Sequence, residues 1–393
     1  MSQRVRIPLT FSLFFAVALS ILGGAHYYLW ARLVRDADWP PVVRTVATVL
    51  IAALGAGMVA TLILRRSLGR RAGGALQTAL LAWMGIGLLL ITGLATMDLA
   101  RLLFSAGQAL GLTHGSLAAA EPRRLPALLG GGIGLGLSVF AIRGGLRPPR
   151  IVRVQVKVPK LPPGLAGLTI VQLSDVHIGP TLDARFLADV VQRANALNPD
   201  LVAITGDLVD GSVEKLSAQV EPLRELRARL GVYFVPGNHD HYSGLGPWLA
   251  HLPSLGLKVL RNSHVVVGEG DTRFVVAGVD DPTGRRLGTG GGPDVTAALV
   301  GAPAGLPVVL LAHQPGEFDD AAQAGVALQL SGHTHGGQLF PFTFVVGLFQ
   351  RYLAGLYVKG TSTLYVSRGT GFWGPPLRLL APSEITRLVL EPA

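Results

Sequence analysis

Five apolar runs in this chain end the same way, and no other feature narrows its possible folds as much. Residues 168–173 lead into Ser174-Asp175-Val176-His177, and residues 201–205 into Gly206-Asp207-Leu208-Val209-Asp210. Residues 231–235 lead into Pro236-Gly237-Asn238-His239-Asp240, and residues 307–311 into Ala312-His313. Residues 326–330 lead into Ser331-Gly332-His333-Thr334-His335-Gly336-Gly337-Gln338. Near-continuous apolar strands are what a sheet buried on both faces requires. Polar groups at the carboxyl ends of such strands lie where an open α/β sheet places its site.

The side chains at those ends are nitrogen and oxygen donors. His333 and His335 project to the same side of an extended chain. Such donors suit hard to borderline divalent metals such as Mn, Fe, Zn or Mg. The chain has no cysteine, which excludes thiol catalysis and thiolate metal sites. Five of the ten histidines fall in the motifs, namely His177, His239, His313, His333 and His335, where chance would scatter them. His241, His251 and His264 lack motif support and are expected in loops or on the surface. His26 and His114 belong to the amino-terminal region and are read as interfacial.

Taken in order over residues 168–336, the five motifs resemble the calcineurin-like metallophosphoesterase family, in its bacterial membrane-linked branch. The resemblance implies an α/β fold, a two-sheet sandwich flanked by helices, and a site for two divalent metal ions. By that likeness Asp175, His177 and His335 hold the first ion, Asp207 bridges both, and Asn238, His313 and His333 hold the second. His239 matches the histidine that stabilises or protonates the leaving oxygen. Asp210 and Asp240 match residues that orient ligands or His239, although each also reads as a helix cap.

That site fits a definite chemistry. Two divalent ions about 3.5–4 Å apart clamp the attacking and leaving oxygens of an in-line displacement and make hydroxide available near neutral pH. A phosphodiester is anionic and repels hydroxide, so its charge must be neutralised. The expected activity is therefore metal-dependent hydrolysis of a phosphodiester or pyrophosphate. Three other readings stay open: a phosphomonoesterase, a metal-binding sensory membrane protein without turnover, and a transporter with a soluble appendage. The complete motif set argues against the sensor. Spans without intramembrane acids or broken helices argue against the transporter.

The first 150 residues differ in composition. Apolar runs at 9–30, 42–64, 75–97 and 125–142 can each cross a hydrocarbon core about 30 Å thick. An all-α transmembrane region of about four helices is thus expected at 1–150, ahead of a catalytic domain at 151–393. Residues 99–112, broken by Arg101 and Gln108, read as an interfacial or packed helix. Residues 1–150 carry 15 of the 34 basic residues and 4 of the 24 acidic ones, leaving 19 against 20 in the remainder. The basicity belongs to the membrane flanks, so no nucleic-acid partner is expected.

Orientation follows the distribution of arginines. With the amino terminus inside, Arg4, Arg6, Arg65, Arg66, Arg70, Arg71, Arg143, Arg147 and Arg150 face the cytoplasm. Arg32, Arg35, Arg44, Arg101, Arg123 and Arg124 face the other side. This bias predicts a multi-pass protein of the bacterial inner membrane with a cytoplasmic catalytic domain.

In the second half, residues 143–150 read as a short stiff linker and 152–158 as an edge strand. Residues 182–197 and 213–230 read as helices, 264–267 with 273–279 as a hairpin, and 384–390 as the last strand. Residues 339–349 are apolar and too short to span a bilayer. They read either as a buried loop or strand, or as an apolar wall facing lipid or a lipid-like substrate. With the short linker, the wall points to a lipid-linked phosphoester substrate at the membrane. Arg368 or Arg378 could hold a phosphate, or else lie on the surface.

Overall fold

Successive residues of a strand point to opposite faces, so a strand covered on both sides must be apolar throughout. The computed structural model, which describes residues 9–64, 70–112, 124–159 and 161–393, shows this arrangement. The chain divides into two units, one ending at Ile142 and the other running from Arg143 to Ala393. The second unit contains β1 (Arg150–Val158), β2 (Thr169–Leu173), β3 (Leu201–Thr205), β4 (Val232–Val235), β5 (Leu257–Val259), β6 (Ser263–Val267), β7 (Phe274–Gly278), β8 (Val308–Leu311), β9 (Leu328–Ser331), β10 (Gly355–Lys359), β11 (Ser362–Val366) and β12 (Glu384–Pro392).

These strands form two six-stranded sheets, ordered β1-β12-β2-β3-β4-β5 and β10-β11-β9-β8-β7-β6. β2 to β5 are parallel, as are β7, β8, β9 and β11. Ile170, Leu201 and Tyr233 pack towards Val276, Val309 and Leu330 in one buried layer between the sheets. The alternate residues Val171, Val202 and Phe234 face a second layer with Leu187, Val191 and Trp248 from the covering helices. The expected two-sheet sandwich flanked by helices is what forms. Asp183 starts the helix Ala184–Asn195 by accepting from the N–H groups of Arg185 and Phe186. The expected helix at 213–230 is shorter, Val213–Val220, because Pro222 cannot continue it.

The first unit holds α1 (Leu9–Trp30), α2 (Pro41–Leu64), α3 (Arg70–Ala109) and most of α4 (Arg124–Leu146). Among the described residues, three helices are long and apolar enough to cross a membrane, lying within α2, α3 and α4. Arg4, Arg6, Arg65, Arg66, Arg123 and His114 lie outside the described residues. Three expectations need correction. Residues 99–112 form no separate helix, since α3 runs 40 residues through Arg101 and Gln108. Asp98 therefore lies inside a long apolar helix, where it accepts from Tyr28 Oη at 2.7 Å and Arg32 Nε at 3.0 Å. That pairing is what an acid in such a helix requires. α4 continues to Leu146, so only Arg147, Pro148 and Pro149 separate it from β1.

Glycines set the approach of α3 to α4. A Cβ on Gly134 would stand 2.6 Å from Leu90 Cα, and one on Gly130 would stand 2.9 Å from Leu94 Cα. Small residues allow such contact between helices in lipid, where the hydrophobic effect does not drive association. Gly134→Leu should therefore cost on the order of 1–3 kcal/mol through overpacking. Gly132, with open space around it, should accept leucine. Thermal unfolding of the two variants in detergent checks this, and equal melting temperatures would refute the packing.

Candidate metal centre

β2, β3 and β4 lie side by side in one sheet, and β8 and β9 in the other. Their carboxyl ends deliver side chains from both sheets to one place. Asp175, His177 and His335 form one group whose donor atoms lie within 4.8 Å of one another, and Asp207, His313 and His333 form another. A third group, His177, Asp210 and His239, shares His177 with the first. Asn238 Oδ1 lies 3.1 Å from His313 Nε2 and 3.0 Å from His333 Nδ1. Asp207 Oδ2 stands between the groups, 3.2 Å from His313 Nε2 and 3.8 Å from His177 Nε2.

The backbone is forced into this arrangement. Asp175, His177, Asp207, His333 and His335 have φ of 52°, 54°, 52°, 70° and 50°. Left-handed backbone costs a residue with a Cβ about 1–2 kcal/mol and persists only where the surroundings impose it. The buried Asp240 carboxylate supplies part of that imposition. It accepts from the N–H groups of Gly237 at 2.8 Å, Asp207 at 2.9 Å, Leu208 at 2.9 Å and Val209 at 3.2 Å. The Asp175 carboxylate ties the sheets together by accepting from His333 N at 3.0 Å and Ser174 Oγ at 2.6 Å.

Neighbouring acceptors settle the histidine tautomers. His313 Nδ1 lies 2.8 Å from Thr205 O, which can only accept, so Nδ1 carries the proton. Its Nε2 lone pair then faces two other acceptors, Asn238 Oδ1 and Asp207 Oδ2. His177 Nδ1 likewise donates to Asp210 at 3.2 Å, which leaves its Nε2 lone pair facing the Asp207 carboxylate at 3.8 Å. Acceptors aimed at acceptors in a dry interior require a cation between them.

The proton affinities express the same demand. Burial alone would lower His177, but the Asp210, Asp207 and Asp175 carboxylates raise it to about 9. His313 rises well above its ordinary value in the same way, with Asp207 prevailing over burial. Burial opposes ionisation of Asp207, yet His313, His177 and His239 hold it well below the usual carboxylate range. His335 is pushed well down by burial and by the His177 and Arg378 charges. A divalent cation takes the place of such protons when it binds. The donor set, oxygen and nitrogen without sulfur, fits one.

His239 differs from the buried donors. Its side chain is 20% exposed. Its ring lies edge-on to Tyr242 at 5.5 Å and to Trp373 at 6.0 Å. Asp210 Oδ1 accepts from its Nδ1 at 2.6 Å and is shared with His177. Asp210 and Asp240 are thus bound to the cluster's side chains and backbone, beyond any capping role.

Three expectations fail nearby. His241 is buried rather than superficial, held between Asp280 at 2.9 Å and Thr289 Oγ1 at 2.7 Å. Arg378 is also buried and is committed to the carbonyls of Gly371 and Ala381 and to His335 Nδ1 at 3.1 Å. Residues 339–349 are mostly neither loop nor strand, because Phe342–Phe349 is a helix with no buried side chain. Arg378 left no signal in the sequence, and His241 left only its adjacency to Asp240.

Comparison with known proteins agrees with this geometry. Residues 168–337 match the family model described as calcineurin-like phosphoesterase. A Danio rerio protein named "Transmembrane protein with metallophosphoesterase domain" is 43% identical over 265 residues, covering 65% of this chain and 61% of that protein. A Helicobacter pylori metallophosphoesterase is 40% identical over 250 residues, covering 63% of this chain and 65% of its own length. An Aquifex aeolicus metallophosphoesterase is 34% identical over 244 residues, covering 62% of this chain and 92% of that protein. The chain belongs to the calcineurin-like phosphoesterase family, which implies a metal-dependent hydrolase of phosphoric esters. It spans less than two thirds of the length of the first two relatives.

Gly237 tests how tightly the cluster is built. A Cβ there would collide with the Asp207 carboxylate, whereas one at Gly246 would meet nothing within 4 Å. Gly237→Ala should displace Asp207, lowering both thermal stability and the metal retained after dialysis. Gly246→Ala should change neither. Normal metal content in Gly237→Ala would show that the carboxylate is not held in place.

Proposed function

We propose that this chain is a membrane-anchored two-metal phosphoesterase that hydrolyses a phosphodiester or pyrophosphate bond, on a lipid-linked substrate. The observation that carries the reading is the convergence of acceptor atoms from Asp175, His177 and His335 on one side of Asp207 and from Asn238, His313 and His333 on the other. In this reading those seven residues hold two ions drawn from Mn, Fe, Zn or Mg. When bound, two such ions polarise an attacking water and neutralise the charge of the phosphate. The chain's own residues do the rest. Asp207, ionised and fixed by His239 N–H at 2.7 Å, keeps the two groups in register. Asp210 accepts a hydrogen bond from Nδ1–H of His239 and leaves Nε2 as the nitrogen available to the substrate. As the water oxygen bonds to phosphorus and the ester P–O bond breaks, His239 in its doubly protonated form passes the Nε2 proton to the leaving oxygen and keeps its Nδ1 proton in the hydrogen bond to Asp210.

The choice of a diester over a monoester rests on charge. Arg378 is committed to carbonyl oxygens, and Arg368 pairs with Glu384 at 3.2 Å. Neither is free to meet the second negative charge of a monoester or of a pyrophosphate, so within the proposal charge favours the phosphodiester. The lipid-linked substrate is supported by the aromatic rim around His239, formed by Tyr242 and Trp373. Placement in the bacterial inner membrane with this unit in the cytoplasm is part of the proposal and rests on the arginine bias.

Two measurements test it. Asp207→Asn should lose one or both metals by elemental analysis, and full occupancy with unchanged turnover would remove the bridging role. His239→Ala should lower turnover of a generic diester by on the order of 10²–10⁴ while retaining its metals. The loss should shrink for substrates with good leaving groups. An equal loss for good and poor leaving groups would exclude proton donation.

A further inference from the structure

The helix Phe342–Phe349 exposes more apolar surface than a soluble face usually carries. It reads Phe-Thr-Phe-Val-Val-Gly-Leu-Phe, without a charge. None of its side chains is buried, and Phe344, Leu348 and Phe349 are 67%, 81% and 82% exposed. Only Thr343, Val346 and the flanking Pro341 and Gln350 are half-covered, so the exposed arc runs around most of the helix. The apolar surface continues along the chain. Leu356 and Val358 share one face of β10, and both are exposed.

The helix is rooted in the metal-centre loop. Thr343 N–H donates to Leu339 O at 3.2 Å, and Gly337 lets Thr343 Cα come close enough to exclude a Cβ. Gln338 pins the neighbouring turn by donating to Trp373 O at 2.8 Å and accepting from Trp373 N at 3.0 Å. Thr334 Oγ1 holds Leu353 O beyond the far end of the helix, at 2.5 Å.

We propose that the Phe342–Phe349 helix lies in the surface of a lipid bilayer, so that the catalytic unit has its own interfacial anchor beside the metal centre. Three features select lipid over a protein partner. The unit is joined through only Arg147, Pro148 and Pro149 to a helix long and apolar enough to cross a membrane. The exposed arc is too wide for one protein groove but suits a medium that surrounds it. The flanking cations Arg351 and Lys359 are exposed and share a single carboxylate, Asp319, leaving net positive charge for anionic headgroups. An interfacial helix of this kind sinks its apolar face about 5–10 Å into the headgroup boundary. This anchoring does not depend on which ester is cleaved.

The absence of cysteine makes the test direct. Phe344→Cys, Leu348→Cys and, as a control on exposed Val300, Val300→Cys are made in the full chain and labelled with bimane. Each is reconstituted into phosphatidylcholine–phosphatidylglycerol vesicles containing doxyl-labelled phosphatidylcholine. Unchanged thermal unfolding shows that the labelled chains are folded. Quenching and a blue shift are expected at 344 and 348, with neither at 300. A water-exposed label at both positions overturns the anchor. So does a label that is shielded but unquenched, which would mean that protein covers the helix. Turnover of bis(p-nitrophenyl) phosphate in the same vesicles reads the phosphoesterase proposal separately, so either can fail alone.

Discussion

The acceptor nitrogens of His177 and His313 each stand within 4 Å of the buried Asp207 carboxylate, and the catalytic unit is arranged around that conflict. A buried carboxylate without a counter-charge costs several kcal/mol. Moving it to solvent would remove the cost and also the site. The fold keeps it inside and surrounds it with groups that accept positive charge. Asp175 and Asp207 come from one sheet, and His313, His333 and His335 from the other, so the charge balance is also a contact between sheets. Without a cation, protons on His177 and His313 supply the positive charge across that seam. Cation binding and the packing of the two sheets are therefore coupled.

The backbone around the cluster follows from the same conflict. Five donor-bearing residues hold left-handed φ values that glycine would adopt without strain, yet glycine has no side chain to offer a cation. Ligand and backbone requirements cannot both be met by residue type. At Asp207 they are met by the buried Asp240 carboxylate, which accepts four N–H groups across two strand ends. Burial and Asp207 push Asp240 up to about 7, while its N–H donors pull the other way. It thus sits near the limit of what this interior allows a carboxylate.

The sequence showed the strand ends clearly because both constraints act on neighbouring residues. Continuous apolar runs such as residues 201–205 report burial on both faces, and the donor follows at once. The insertion of β12 between β1 and β2, parallel to β1 and antiparallel to β2, is not legible, because pairing partners far apart in sequence leave no local pattern. His241 escaped for a similar reason. Its partner Asp280 lies 39 residues away, and an isolated histidine beside a motif looks like a loop residue. The burial of Arg378 leaves no mark in the sequence, because arginine is rarely buried. Here three carbonyl oxygens and an imidazole nitrogen replace water around its guanidinium. In residues 339–349, composition reported an apolar segment and could not say whether it faced inward. Continuity through Arg101 hid the length of α3 in the same way, since one charge per turn does not end a helix.

Exposure divides labour among the histidines. His177, His313 and His335 are buried and locked by partners on their far nitrogens, so they can hold a cation but cannot follow a substrate. His239 shares Asp210 with His177, and its ring reaches the aromatic rim. A shared carboxylate makes the two histidines respond to each other, because charge placed on His177 changes what Asp210 offers His239. His239, the proton donor of the proposed reaction, is thereby linked to the interior cluster through one carboxylate.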